Sequence, residues 1–271
     1  MSLHQSVWDG QINVKIVYED TEFLLYIHRN AYFPLHYTDI ANYFDSVVSA
    51  DLTKSPIWLE HEDVPLKWNL PAGVLYDLLY LPAAEKRNEW VLQLRFDSPE
   101  SPYPSTDIIP FSVSEDSIDY SSMLSQVVVN QLKQSTFVMN GNAKAMMTLS
   151  EDDSRFLWKA IASHDYNGFH SIAKKLHPRG QSIQRVPVKV YVAGTPVMIQ
   201  APIAPSENSK ATTLDDLLQK WAPQLFTKSS LNAIPVIHGV DASVLADESL
   251  LKIWSTFRHL DNFLYIVVTF S

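Results

Sequence analysis

Lys144 is the one charged side chain between Gln134 and Glu151, in the stretch STFVMNGNAKAMMTLS. A primary amine among Ala143, Ala145, Met146 and Met147, just past an Asn140-Gly141 turn, has the setting of a handle for covalent attachment, the nitrogen acting as nucleophile. Such attack uses the neutral amine, a small fraction of an ordinary lysine at neutral pH because the pKa is about 10.4. Apolar neighbours favour the neutral form by partial desolvation. Met146 and Met147 are therefore expected to assist, and the turn to aim the side chain outward. Lys133 and Lys159 lie in more polar helical surroundings. The same letters also describe a surface lysine whose stem lies on apolar residues while its ammonium stays in water. On spacing alone both readings stay open.

Other chemistry has less support. His61-Glu62-Asp63 offers metal-ligand and acid–base residue types, but on a strand neighbouring side chains point to opposite faces and do not converge. His164, His170 and His177 lack the HExxH spacing, so no metal is expected. No GxGxxG, GxxxxGK[ST] or GxSxG string occurs among the seven glycines. Zero cysteines remove disulfides, thiolate sites and cysteine nucleophiles. A chain of this kind in modifier transfer is an acceptor or scaffold, since it cannot carry a thioester. Trp58, Trp68, Trp158, Trp221 and Trp254 fall in periodic apolar segments and are expected in the core. No enzyme signature and no cofactor follow.

Net charge is −9, unevenly distributed. Asp97, Glu100, Asp107, Glu115, Asp116 and Asp119 stand without a Lys or Arg between Phe96 and Leu132. From Arg155 to Lys189 the balance reverses, with Lys159, Lys174, Lys175, Arg179 and Arg185 between them and Asp165 as the single acid. Overall acidity disfavours nucleic acid. The basic run fits either a weak anionic-membrane contact, with Lys174, Lys175 and Arg179 as its residues, or ordinary solvated helix faces. The first thirty residues carry Asp9, Glu19 and Asp20 and no long apolar run, so no signal peptide is expected. Apolar runs such as Phe23–Ile27 and Phe263–Val268 are strand-sized, and a soluble cytoplasmic chain is expected.

These residues need elements to hold them. The 46% hydrophobic content over 271 residues supports packed cores. Alternation predicts a strand pair over residues 11–30, a helix over Tyr37–Ser49, a short strand at Ile57–Leu59, a helix from Pro71 to Tyr80 and a strand at Trp90–Phe96. Residues 1–97 thus form an N-terminal helix and a small α+β unit, and a Pro-rich acidic linker follows over 98–110. Residues 111–180 read as helix-rich, with Ser150-Glu-Asp-Asp153 as a capping box. Residues 181–271 repeat the first unit in outline. Strands at Arg185–Val192 and Pro196–Ala201, a helix capped by Thr213, a strand at Ile234–Ile237, a helix around Asp247–Phe257 and a strand at Phe263–Phe270 give β-grasp ordering.

Five strings carry a resemblance: VWDGQINV (7–14), IWLEHEDVPLKWNLPAGVLYDLL (57–79), NGNAKAMMTLS (140–150), TTLDDLLQKW (212–221) and IPVIHGV with LKIW and LDNFLYIVV (234–268). Together they are similar to the autophagy protein 5 family, fungal type. The resemblance implies an α+β chain of two ubiquitin-like (β-grasp) domains flanking a helix-rich domain. It implies an isopeptide between Lys144 and the C-terminal glycine of the ubiquitin-like autophagy protein 12, delivered by the E2-like autophagy protein 10. In that family the acceptor follows an Asn-Gly-Ser-Ser string, where this chain has Asn142 and Ala143. The conjugate is then expected to bind the N-terminal helix of autophagy protein 16 where the three units meet. The helix after Pro71 is expected to contribute there, through Gly73 and through Asp77 facing a basic partner residue. The resemblance further implies that the conjugate acts like an E3 in lipidation of autophagy protein 8, peripheral at the preautophagosomal membrane. The reading from another class is an unmodified β-grasp adaptor that recruits a helical partner; a metal-dependent hydrolase at His61 or the 164–177 histidines is a third.

Overall fold

The computed structural model describes residues 3–48, 52–82, 89–113, 118–177, 183–226 and 232–270. In chain order, α1 (Leu3–Trp8), β1 (Gln11–Tyr18), β2 (Thr21–His28), α2 (Tyr37–Val48), β3 (Ile57–His61), β4 (Val64–Pro65), α3 (Ala72–Leu79) and β5 (Trp90–Phe96) come first. A helical stretch follows: α4 (Tyr120–Asn140), α5 (Lys144–Met147), α6 (Glu151–Ala162) and α7 (Tyr166–Ala173). The chain closes through β6 (Val188–Val192), β7 (Met198–Ile199), β8 (Ser206–Glu207), β9 (Lys210–Ala211), α8 (Leu214–Trp221) and α9 (Pro223–Phe226). Last come β10 (Ala233–Ile237), β11 (Val240–Asp241), α10 (Leu250–Phe257) and β12 (Leu264–Phe270). Two compact units result.

One unit holds Asp9–Tyr76 and Ala83–Val128. Its sheet has the order β2-β1-β5-β3-β4, with β1 and β5 as a parallel central pair. Ile12, Val14 and Ile16 of β1 alternate into the core because successive strand residues face opposite sides. Helix α2 buries Tyr37, Ile40, Ala41 and Phe44, one stripe at helical spacing. The hairpin β1-β2, the helix α2, the antiparallel pair β3-β4 and a last strand, β5, set parallel beside β1 follow the β-grasp path. His61-Glu62-Asp63 corrects the strand expectation. β3 ends at His61, and Glu62 (φ 49) and Asp63 (φ 62) form the turn into β4. Their side chains diverge because the backbone turns. Glu60 and Asp63 go to Arg95, while His61 Nδ1 lies 3.3 Å from the Val91 carbonyl. The Pro-rich segment is tied down rather than free: Trp68 Nε1 donates to the Ile109 carbonyl at 2.8 Å, Trp68 stacks on Phe111, and Ile108 is buried.

The other unit comprises Met1–Trp8, Asp77–Pro82 and Val129–Ser271. Its sheet, β11-β10-β12-β6-β7, again has a parallel central pair, with Leu264 opposite Val188. Val190, Leu217, Ile253, Trp254 and Ile266 meet in its core. The ladder starts at Val188, later than periodicity suggests, because Pro187 has no N–H to give and offers only its carbonyl to Leu264. Thr213 forms a full capping box with Asp216 at the start of α8. Ser150 caps α6 by accepting from Asp153 N–H. Sequence grouped α1 with residues up to 97, yet it clusters with the helical stretch. Trp8 Nε1 donates to the His164 carbonyl at 3.2 Å, and its ring meets Tyr166 and Phe169 at 5.3 and 5.4 Å.

Candidate functional site

The Lys144 segment begins where α4 stops. Gly141 takes φ +73, the left-handed conformation glycine adopts without a Cβ penalty, and donates its N–H to the Phe137 carbonyl at 2.8 Å. The stop is braced from outside: Gln184 N–H donates to the Met139 carbonyl at 2.9 Å, and Asn140 Nδ2 to the Leu176 carbonyl at 3.2 Å. Asn142 Oδ1 then accepts from Lys144 N–H at 3.0 Å, a side-chain turn that makes Lys144 the first residue of α5. Thr148 Oγ1 closes the single turn on the Lys144 carbonyl at 2.9 Å.

Lys144 is exposed, and among the described residues no carboxylate makes an ion pair with it. Met146 is buried and Met147 is 71% exposed. The desolvation expected from these methionines is therefore not built into the chain; a covering protein would have to supply it. Lys133 and Lys159 are exposed as well, so exposure alone does not single out Lys144. Its surroundings do. A surface depression of about 560 Å³ is lined by Asn140, Asn142, Lys144, Thr148, Asp153, Lys175 and His177 among others. Its second lysine, Lys175, is held by Asp153 at 2.7 Å. That ammonium keeps the Asp153 carboxyl below the ordinary carboxylate range. Burial pushes His177 down to about 4, with Arg258 and His170 adding to the effect. The depression thus presents one tethered ammonium, one imidazole favouring neutrality and one amine without a carboxylate partner.

Asn142 is legible in hindsight, because an Asn two residues before a helix start is a known turn spacing. The Asp153–Lys175 pair joins residues 22 apart in sequence, and His177 reaches the same depression from after α7. No local pattern reports either.

The remaining expected residues are dispersed. Asp77 is 3% exposed, and its Oδ2 accepts from Gly239 N–H at 2.9 Å, anchoring the His238-Gly239 turn between β10 and β11. In the free chain its carboxylate is thus an internal acceptor. Gly73 N–H donates to the Arg29 carbonyl at 2.8 Å, and a Cβ there would lie 2.9 Å from that oxygen. Lys174 is exposed, Lys175 is ion-paired, and Arg179 lies outside the described residues. Arg155 faces Glu151 and Asp152 of its own helix. Lys189, counted from sequence with the basic run, is 6% exposed, with Nζ 4.0 Å from the Phe263 ring centroid. His164 and His170 bond the carbonyls of Trp8 and Tyr166.

Three family models match the chain. Autophagy protein ATG5, UblA domain, covers residues 7–96; the alpha-helical bundle region covers 121–179; the UblB domain covers 185–268. Autophagy protein 5 of Debaryomyces hansenii is 41% identical over 285 residues, spanning 100% of this chain and 96% of the relative. Its counterpart in Candida albicans is 43% identical over 277 residues, spanning 98% and 96%. The crystal structure of Kluyveromyces marxianus Atg5 superposes with a TM-score of 0.77 at 24% identity, covering 98% of this chain and 99% of that one. Two sheets with parallel central pairs, the helical stretch between them in sequence and these matches lead to one conclusion: the chain belongs to the autophagy protein 5 family, with two ubiquitin-like domains flanking a helical bundle region.

Proposed function

We propose that the chain is a non-enzymatic acceptor and scaffold in autophagy, with Lys144 as the acceptor amine. The observation that carries this is the placement of Lys144: first residue of a one-turn helix after a glycine stop, lining a depression whose other lysine is tethered to Asp153. Nζ attacks the thioester carbonyl of the C-terminal glycine of autophagy protein 12. The N–C bond forms, the C–S bond breaks, and the thiolate of the E2-like autophagy protein 10 leaves as the amine gives up its proton. With no cysteine, this chain supplies only the nucleophile and the platform. The conjugate then binds the N-terminal helix of autophagy protein 16 and promotes lipidation of autophagy protein 8 at the preautophagosomal membrane. That part rests on family membership, and Gly73 and Asp77 enter it on the same ground.

Lys144→Arg keeps the charge and removes the usable primary amine. In cells carrying it, the conjugate is expected to vanish while circular dichroism of the purified chain stays unchanged. Mass spectrometry of wild-type conjugate is expected to give a branched peptide at Lys144. Undiminished conjugate in the variant sinks the assignment. A wild-type chain never found conjugated yet still bound to the helical partner supports the unmodified adaptor instead.

A further inference from the structure

The two five-stranded sheets have four outer edges among the described residues. Three are blunted by strands of two residues each: β4, β7 and β11. The fourth, β2, runs eight residues from Thr21 to His28. A long edge with unpaired backbone groups templates another strand, and proteins ordinarily shield it with short strands, proline, charge or cover. Here the middle of the edge has none of these. Leu24 is 60% exposed and Tyr26 68%.

The register shows which backbone groups are free. Antiparallel pairing turns alternate residues toward and away from the neighbour. The Glu22 carbonyl points away from β1, since it accepts from Tyr43 Oη at 3.0 Å, while Arg29 N–H points inward to the Gly10 carbonyl. Leu24 and Tyr26 have the parity of Glu22, so their N–H and C=O groups face outward. Among the described residues nothing backbone meets them. Tyr43 closes the strand at Glu22, leaving the window from Leu24 onward.

Charge selects the occupant. The turn entering β2 exposes Glu19 and Asp20, and Glu22 follows. Lys15, opposite Leu24, is already shared by Glu22 at 3.2 Å and Glu89 at 3.4 Å. The β2 sequence, TEFLLYIH, contains no Lys or Arg with which a second copy could answer these acids. We propose that the outer edge of β2 is a docking site for an extended, basic segment of a partner protein. The segment adds as a sixth strand, sets apolar side chains against Leu24 and Tyr26, and places Lys or Arg beside Glu19, Asp20 and Glu22. Main-chain bonds supply affinity and the alternating side chains supply selectivity.

The probe is a random dodecapeptide display library selected on the full chain. Recovered peptides are synthesised and titrated into wild type, Leu24→Pro and Tyr26→Lys. Proline at Leu24 removes an outward donor without breaking a ladder bond, the edge position where proline is tolerated. Lys at position 26 adds like charge and serves if the proline variant loses its fold by circular dichroism. The expected result is basic, alternating peptides that protect the Leu24 and Tyr26 amides from hydrogen exchange and bind both folded variants at least tenfold more weakly. Failure to recover a peptide that distinguishes the variants overturns the proposal, as do acidic binders. A wild-type dimer in sedimentation that Leu24→Pro dissolves also overturns it, making a second copy the occupant.

Discussion

At the scale of single residues, Lys144 and its neighbours show how much of a lysine's setting lies outside the side chain itself. Asn142 fixes the backbone at Lys144, and Asp153 holds Lys175 in an ion pair. His177 carries the pH consequence. Its unfolded value is near the ordinary 6.5 and its folded value about 4. Between those values the unfolded chain binds the extra proton, so the contribution to stability is present above pH 6.5 and is lost as pH falls toward 4. Urea unfolding at pH 7 and pH 5 is expected to show a loss in wild type that His177→Gln reduces, the other histidines titrating alike in both. Equal losses in the two proteins would remove His177 from the account. Lys189 and Asp261 show burial winning over charge. Burial pushes the lysine's pKa down and the carboxyl's up, while Tyr265 Oη at 2.6 Å and Phe263 N–H at 3.0 Å serve the carboxylate.

At the scale of elements, caps and stops decide where helices present their residues. α8 is eight residues long, and isolated helices of that length are marginal in water, so its capping box and its Leu214, Leu217 and Leu218 face act together. Thr213→Ala removes the acceptor for Asp216 N–H and is expected to cost about 0.5–2 kcal/mol in chemical denaturation, with an unchanged denaturant slope. A cost below the error of the extrapolation would show the cap to be redundant with the packing. The string predicts the Ser150 cap, which forms, and a reciprocal bond from Asp153, whose carboxylate instead pairs with Lys175. Strand ends moved for a comparable reason, since periodicity does not count donors and Pro187 has none to give.

At the scale of the whole molecule, charge sets the expectation for membranes. Sequence counted seven basic residues from Arg155 to Lys189; folding pairs Arg155 and Lys175 with acids and buries Lys189. Each Lys or Arg close to an anionic surface contributes about 1 kcal/mol, decaying within a Debye length of about 8 Å at physiological salt. Co-sedimentation with acidic vesicles is therefore expected to be detectable at low salt and negligible near physiological salt. It should weaken when Lys174, Lys175 and Arg179 become Glu. Equal pelleting of that triple variant at low salt would leave the patch as ordinary solvated surface. No helix among the described residues is long and apolar enough to cross a membrane.

The amino-acid sequence by itself determined what is local. The alternation of Ile12, Val14 and Ile16, the stripe of α2, the Asn140-Gly141 stop and the Thr213 cap need only neighbours within a few residues, where period and propensity act. So does the absence of a thiol. The five strings also carried the family. Tertiary structure decided what depends on partners far along the chain. It drew α1 onto the helical stretch through Trp8 and His164, and it spent the Asp77 carboxylate on Gly239 N–H. It also brought Asp153, Lys175 and His177 around Lys144, and left β2, eight residues long, at the edge of its sheet. Burial and pairing are properties of three-dimensional neighbourhoods, and a periodic pattern shows which face of an element is apolar, not what comes to cover it.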